Sequence, residues 1–415
     1  MAITNTFRWN GKLGSDWNAT APGPPPKSNW DLLDGSAAPG SIPEGLGDVA
    51  VFDGTGADGT SVTITTNNAT GNAEELQVVA ATTVTFSSGN YGFGIDNQSG
   101  MIIDENAAVI VASSGTLANR GSFDAIGLTT GGSLEVQAGA GFDDLGMIVG
   151  IDEGSSGTVT ADAAFGFEVV QSGSGAADGV LTIGASGDGS VDVSDTPIFF
   201  SATAILGQMA GSTGNLKLSN SICGGSDLTV GRSGTGNATI EAGSTVAFTN
   251  VVVGAVDGSD SLDISGRSQF SGDFTILGED AAATGDVTVD DSTWDGTTLT
   301  VGLDGSGTAT IDTGIRSRSG VPQELGLARD PRELGVALRH MAVAQQTRKR
   351  VMQANDVRLA DGFHDFEPEK GFRWTNGEAA APAELFAGFI GPLTVVLHVG
   401  ATSRYRDPGS ELRVA

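Results

Sequence analysis

The sequence of 415 residues is poor in cysteine, aromatic residues, basic residues and long apolar runs. Its single cysteine, Cys223, excludes an intrachain disulfide. No run approaches the ~18 apolar residues that a membrane-spanning helix needs, so we expect no transmembrane segment. The N-terminus has no basic segment followed by an apolar one, so no Sec signal peptide is recognisable.

Basic residues are scarce in the first 314 residues, which hold 7 Lys and Arg against 38 Asp and Glu, a net charge of −31. The residues from Ile315 onward are nearly balanced, with 14 basic and 12 acidic side chains. An acidic surface repels phosphate backbones, so we expect no nucleic-acid partner. The carboxylates could bind Ca²⁺ or could simply keep the surface soluble. Because no Gly-Gly-x-Gly-x-Asp repeat recurs, we predict no metal and no cofactor.

Glycine is abundant, with 63 residues, and it marks a repeat. Short apolar runs end in a glycine at intervals of 34, 23, 24, 23, 24 and 24 residues, namely at Gly150, Gly184, Gly207, Gly231, Gly254, Gly278 and Gly302. After each glycine comes a second short apolar segment, in which apolar residues alternate with others, as at Ala238 and Ile240. Most units have a third short apolar segment. Alternation with period two predicts strands that turn one face inward.

Three short strands and three turns in about 24 residues leave no room for a helical crossover. Each unit is therefore predicted to be one coil of a parallel β-helix, or β-solenoid, in which successive coils stack about 4.8 Å apart. We expect each repeat glycine at a corner where a Cβ atom would be hindered. Glycine-rich turns can also cradle phosphate, but only before a helix, and here strands follow. The predicted fold class is all-β: a parallel β-solenoid followed by a small C-terminal β-sandwich module.

Two segments, Val230 to Ser244 and Val301 to Gly314, follow the pattern V-G-x-x-G-S-G-T-x-T-I-x-x-G-S closely. The pattern resembles the repeats of bacterial autotransporter passenger domains and related surface proteins. That resemblance implies a right-handed parallel β-helix at a cell surface, and it implies nothing about a ligand.

Residues 1–52 differ from the repeat in composition and contain three tryptophans, Trp9, Trp17 and Trp30. They occur as W-x-G, S-D-W-N and N-W, and P-x-x-x-G-D-x-A-x-F follows at residues 43–52. This order resembles the opening segment of many secreted bacterial β-helix proteins, which implies that residues 1–52 cap the first coil. An uncapped end would expose core and strand edges. A sugar-stacking platform is the alternative role for the tryptophans. Residues 53–314 are then the solenoid repeats.

The repeat ends near Gly314. Beyond it, glycine is less frequent and arginine is more frequent. Residues 315–329 are predicted to be a linker, and residues 330–415 a β-sandwich-like module of several short strands. Residues 330–346 contain helix formers but alternate at Val336, Leu338 and His340, which favours a strand. Further strands are predicted at Val357–Leu359, Phe372–Trp374 and Leu393–Leu397.

The motif G-F-H…E…G-F-R-W-T at residues 362–375 resembles a tail module of alphaproteobacterial secreted proteins, where it often follows a Hint self-processing domain. Similar patterns occur in β-sandwich modules of glycan-handling proteins. The resemblance implies glycan contact, for which the candidates are Trp374, Arg373, Glu367 and His364. Packing of Trp374 in the module's core is favoured over this glycan contact. No nucleophilic cysteine opens a Hint domain here, so self-splicing is not implied. We predict no catalytic residue.

These features predict an extracellular structural or adhesive protein of a bacterial cell surface, exported without a recognisable Sec signal, and not an enzyme. We expect self-association, for example into filaments through the solenoid ends or the C-terminal module. One alternative is an adhesin whose C-terminal module binds a cell-surface polysaccharide. A less favoured one is a polysaccharide-degrading enzyme, because the acidic solenoid would repel a polyuronate substrate.

Overall fold

The computed structural model describes residues 5–22, 26–35, 37–38, 41–43, 47–66, 70–93, 100–119, 124–169, 179–196, 198–200, 203–296, 298–311, 314–316, 321, 323, 330–345, 348–387 and 394–402. The chain divides into two compact units, Met1–Thr310 and Ile311–Ala415. Regular structure in the described residues is β, apart from one 3₁₀ turn at Ala383–Leu385.

The first unit is built from short strands, which are β1 (Asn5–Trp9), β2 (Thr20–Ala21), β3 (Lys27–Ser28), β4 (Trp30–Asp34), β5 (Asp48–Phe52), β6 (Ser61–Thr65), β7 (Gly71–Asn72), β8 (Glu75–Val78), β9 (Thr83–Phe93), β10 (Met101–Ile103), β11 (Ala107–Val111), β12 (Gly115–Asn119), β13 (Asp124–Ile126), β14 (Gly131–Val136), β15 (Gly141–Asp144), β16 (Gly146–Val149), β17 (Ser156–Asp162), β18 (Gly166–Val169), β19 (Val180–Ile183), β20 (Asp188–Ser194), β21 (Ile198–Phe200), β22 (Thr203–Leu206), β23 (Thr213–Ser219), β24 (Ile222–Val230), β25 (Thr235–Glu241), β26 (Thr245–Val253), β27 (Asp257–Ile264), β28 (Gln269–Leu277), β29 (Ala282–Val289), β30 (Thr293–Asp295), β31 (Thr298–Val301) and β32 (Ser306–Ile311).

These strands form a parallel β-solenoid, as predicted. The first face stacks β5, β8, β10, β13, β16, β19, β22, the second halves of β24, β26 and β28, and then β31. The second face stacks β6, the start of β9, and then β11, β14, β17, β20, β23, β25, β27, β29 and β32. The third face stacks β7, the end of β9, β12, β15, β18 and β21, and continues in the first halves of β24, β26 and β28 and in β30.

One coil shows how the alternation builds the core. Leu228 and Val230 on the first face, Ala238 and Ile240 on the second, and Phe248 on the third are all buried. Residues between them point outward because successive side chains of a strand lie on opposite sides. Parallel pairing then places each inward residue above its counterpart in the next coil, so one continuous apolar core extends from Phe7 to Val289.

At the N-terminal end, parallel stacking stops at an antiparallel pair. Strand β1 lies parallel to β5, but β4 runs antiparallel to β1. The three tryptophans pack under this pair, with Trp17 and Trp30 ring centroids 4.6 Å apart and Trp9 and Trp30 centroids 5.1 Å apart. Asn29 fixes the preceding loop, since its amide donates to the carbonyls of Gly14 and Asp16 at 2.8 and 2.9 Å.

The second unit is antiparallel. It consists of β33 (Gly314–Arg316), β34 (Val336–Gln345), β35 (Arg348–Gln353), β36 (Phe363–Glu367), β37 (Phe372–Thr375), β38 (Glu378–Ala380) and β39 (Thr394–Thr402). The central strand β34 pairs with β35, β37 and β39, β36 pairs with β37, and β33 pairs separately with β38. The sequence of residues 330–346 allowed either a helix or a strand and favoured a strand. The segment does contain a strand. Residue 346 and most of residues 317–329 of the predicted linker lie outside the described residues.

The prediction of a strand at Val357–Leu359 is wrong. The segment is a turn in which Asp356 accepts from the backbone N–H of Arg358 at 3.1 Å and binds the Arg358 guanidinium at 2.6 Å. An aspartate that bonds to the backbone two residues on closes a turn and competes with strand pairing.

Candidate functional site

The four residues predicted to contact glycan lie on the β36–β37 hairpin. His364 and Glu367 belong to β36, and Arg373 and Trp374 belong to β37. Consecutive residues of a strand point to opposite faces, so Arg373 and Trp374 diverge. Glu367 lies opposite Phe372 in the register, which puts it on the same face as Trp374. The hairpin thus gathers Glu367 and Trp374 on one face and directs Arg373 to the other.

Glu367 is the centre of an ion-pair network. Its carboxylate oxygens lie 2.8 Å from the Arg332 guanidinium and 2.8 Å from Lys370 Nζ. Hydrogen bonds from Lys370 and then from Arg332 lower the pKa of Glu367. Asp330 binds the other side of Arg332 at 2.7 Å, and that hydrogen bond lowers the pKa of Asp330 to about 2. Both carboxylates are ionised at neutral pH, so neither is set up as a proton donor.

Arg373 and His364 bind backbone groups of the module itself. The Arg373 guanidinium donates to the carbonyl oxygen of Leu359. His364 Nε2 lies 2.5 Å from the carbonyl oxygen of Glu333. These two side chains therefore hold the turn at Leu359 and the segment before β34 against the hairpin.

Trp374 is half-buried, and its ring meets the Phe372 ring edge-on with centroids 5.5 Å apart. Two cations lie near Phe372, with the Arg339 guanidinium carbon 6.0 Å and Lys370 Nζ 5.7 Å from its centroid. Sequence reasoning missed Arg339 and Lys370. Lys370 lies just before the R-W-T motif, which was its only signal. Arg339 had no signal in the sequence, because the β34–β37 pairing that brings it near Phe372 is not local.

The repeat glycines occupy the corners between the first and second faces. All seven have φ between +61° and +74°, a region that residues with a Cβ atom rarely adopt. Space is also lacking, since a Cβ atom on Gly184 would lie 2.1 Å from the carbonyl oxygen of Thr213 in the next coil. The repeat glycines therefore have a structural role in coil stacking.

The three tryptophans of the N-terminal segment present little surface for a ligand. Trp17, Trp9 and Trp30 are 0%, 2% and 4% exposed. A sugar-stacking platform needs an exposed ring face, so the burial of these rings argues against that alternative. Their aromatic area instead packs with Phe52, with centroids 5.4 to 6.2 Å away.

Within the described ranges, no group of three or more His, Cys, Asp or Glu side chains could hold a metal ion. No helix in the part of the chain that the structure describes is long and apolar enough to cross a membrane. Comparisons with models of protein families, with curated proteins and with solved structures found no match. The class that the fold defines is a β-solenoid protein with an antiparallel β unit near its C-terminus.

Proposed function

We propose that this β-solenoid is an extracellular structural or adhesive protein of a bacterial cell surface that assembles with copies of itself. The observation that carries the proposal is the in-register stacking of similar coils, which repeats the same backbone geometry at each step along the solenoid. A periodic surface offers many identical weak contacts to another periodic surface, and such contacts add up. The resemblance of the repeat to those of bacterial surface proteins supports the cellular setting.

Light scattering and electron microscopy of the purified full chain test the assembly. We expect the mean mass to rise with protein concentration above that of one 41.8 kDa chain. Negative-stain images of the concentrated protein should then contain filaments, lattices or discrete oligomers. A monodisperse monomer throughout the concentration range, including the most concentrated sample, would contradict the proposal.

A second candidate function is glycan binding by the C-terminal unit. The observation that favours it is the half-buried Trp374 beside Phe372 and the charged groups of Glu367 and Lys370, because aromatic rings next to hydrogen-bonding groups bind sugars. On this hypothesis the protein is an adhesin that contacts cell-surface polysaccharide.

A glycan array probed with the full chain tests this second candidate. We expect Trp374→Ala to abolish binding and Trp294→Ala, which removes a half-buried tryptophan from the solenoid, to retain it. Circular dichroism confirms that each variant is folded. If the wild type binds no glycan, or if both variants bind equally, the C-terminal unit is not a glycan-binding module.

A further inference from the structure

The outward side of the first face carries a ladder of uncharged side chains. In β22, Ala204 and Leu206 are fully buried, so Ile205 between them points outward. Parallel pairing aligns this position through nine successive strands. We call the ladder the neutral strip, and its members are Ile102, Ala125, Ile148, Thr182, Ile205, Thr229, Val252, Ile276 and Thr300. All of them except Ala125 are β-branched. Ala125 and Thr182 are only 4% exposed, and the other seven members are half-buried.

The equivalent outward ladder of the second face has a different composition. Its aligned members are Ile110, Glu135, Thr160, Asp192, Lys217, Thr239, Asp263 and Thr288. Half of these eight residues are charged, whereas the neutral strip has no charged member. The first 314 residues have a net charge of −31, so a ladder of nine uncharged positions contrasts with the average of the surface. The second face has another outward ladder with a single charged member, but its residues are small and mostly polar; they are Ala108, Ser133, Thr158, Ser190, Asn215, Asn237, Ser261 and Asp286.

A flanking ladder two residues earlier in the same strands extends the neutral surface. It consists of Val180, Thr203, Asp227, Asn250, Phe274 and Thr298. Asp227 is its one charged member, and its carboxylate accepts from the Asn250 amide at 2.7 Å. Phe274 is 52% exposed and Val180 is 38% exposed. Large apolar groups therefore remain in contact with water beside the strip, which is typical of a surface that binds a partner.

We propose that the neutral strip is a lateral contact surface that takes the neutral strip of a second copy of this chain. The inference rests on the proposed self-assembly and identifies the surface that mediates it. Two copies have the same coil spacing, about 4.8 Å, so the half-buried β-branched side chains of one strip fit between those of the other. Face-to-face packing of matched β-branched ladders is the geometry of a steric zipper.

Charge favours a second copy at this place. Each copy has a formal charge of −29, so two copies repel when acidic surfaces face each other. When two solenoids meet through the neutral strip and its flanking ladder, Asp227 is the one charged residue that these ladders bring into the contact from each copy. A contact in which both copies use the same strip closes into a dimer.

The size of the surface is compatible with a stable contact. Nine strands spaced about 4.8 Å apart give the strip a length of roughly 40 Å. Each outward position takes up roughly 7 Å along its strand, so the strip and its flanking ladder together are roughly 14 Å wide. The two copies together would bury on the order of 1,100 Å², more than most crystal-packing contacts and close to the lower bound of specific interfaces. The strip and its flanking ladder together can therefore hold a reversible dimer.

Two double variants with the same change in net charge test the proposal by sedimentation equilibrium of the full chain. Thr229→Glu with Ile276→Glu places carboxylates on the strip two coils apart. The control, Thr239→Glu with Thr288→Glu, places them on the second face, also two coils apart. We expect the strip variant to raise the dissociation constant at least tenfold and the control to change it less than threefold.

The outcomes separate this inference from the proposed function. Association that survives equally in both variants would overturn the neutral strip but leave self-assembly intact. A wild type that is monomeric at every concentration would overturn both. If the wild type is monomeric and the strip variant instead loses binding to an insoluble polysaccharide, the partner is a glycan and the proposal of a second copy is wrong.

Cysteine cross-linking provides a measurement that does not depend on destabilising charges. Ile205 is the middle member of the nine, so in a symmetric contact Ile205→Cys lies near its own counterpart. We expect this variant to form a disulfide-linked dimer at least tenfold faster than Lys217→Cys, which lies in the same coil on the second face. The native Cys223 is buried, and burial raises its pKa, so its thiol does not compete. Equal rates would overturn the proposal.

Discussion

At the scale of single residues, Asp260 interrupts a column of glycines. The aligned positions on the second face are Gly132, Gly157, Gly189, Gly214, Gly236, Asp260 and Gly285. The Asp260 carboxylate is only 1% exposed and accepts from the backbone N–H of Gly236 at 2.7 Å. Among the described residues its Oδ2 atom has no hydrogen-bond partner. Burial raises the pKa of Asp260 to about 7, against a partial lowering by the Gly236 hydrogen bond and a further rise from Asp257.

We predict that Asp260 makes the solenoid less stable as the pH rises. Its pKa is higher in the folded than in the unfolded chain, so its stabilising effect is complete below pH 4 and is lost between about pH 4 and pH 7. The loss is on the order of 4 kcal/mol. Asp260→Asn keeps the shape without the charge, so at pH 8 we expect it to unfold at higher urea concentration than the wild type.

The control for this prediction is the same comparison at pH 4. There the two proteins should be nearly equal in stability, because Asp260 is protonated in the wild type. Urea midpoints that differ by a constant amount at both pH values would show that the Asp260 carboxylate is not buried as described.

At the scale of the structural element, each corner glycine joins two faces of a coil. Gly184 combines a positive φ of +71° with a close approach to the backbone of the next coil. Gly211 also has a positive φ, +85°, but none of the described atoms lies within 4 Å of a Cβ atom placed there. Substitutions at Gly184 and at Gly211 therefore separate the energetic cost of backbone strain from that of a steric clash.

We predict that Gly184→Ala destabilises the solenoid by about 3–5 kcal/mol and Gly211→Ala by about 1–2 kcal/mol. The smaller value is the strain of the left-handed conformation alone, and the difference comes from the clash with the Thr213 carbonyl. Urea denaturation measures both. Equal losses would mean that the coils relax apart at the corner without cost.

The N-terminal pair β1–β4 is a second element whose role can be tested. Trp17 is fully buried and packs on Trp30 and Phe52 at the end of the core. We expect Trp17→Ala to cost about 3–5 kcal/mol, because it leaves a large cavity. Limited proteolysis should then cut first within the initial 60 or so residues. Protection of that segment equal to the wild type would contradict a capping role for the tryptophan.

At the scale of the whole molecule, charge controls association. The screening length falls from ~30 Å at 0.01 M salt to ~10 Å at 0.1 M, and the acidic surfaces of two copies repel less as it shortens. We therefore predict that self-association strengthens as sodium chloride is raised over this range, as measured by light scattering. Association that weakens with salt would indicate that opposite charges hold the copies together, and the nearly balanced C-terminal unit would be the place to search for them.

The sequence alone determined the solenoid. A glycine every 23 or 24 residues and apolar alternation between the glycines are local signals, and each coil repeats them, so the coil and its inward positions could be predicted from spacing. The strand at Val336–Gln345 was favoured for the same reason. The turn at Val357–Leu359 was missed because a side chain, Asp356, decided the backbone conformation there.

The tertiary structure decided how outward residues combine into surfaces. Ile205, Thr229 and Val252 are unremarkable in the sequence, since each lies in a strand that also has other β-branched residues. Only parallel pairing, which fixes the register of each coil on the next, aligns them into one uncharged ladder. The ion pairs of Glu367 with Arg332 and the divergence of Arg373 from Trp374 likewise follow from pairing between strands. Local chemistry sets the coil, and long-range register decides what the coils present to a partner.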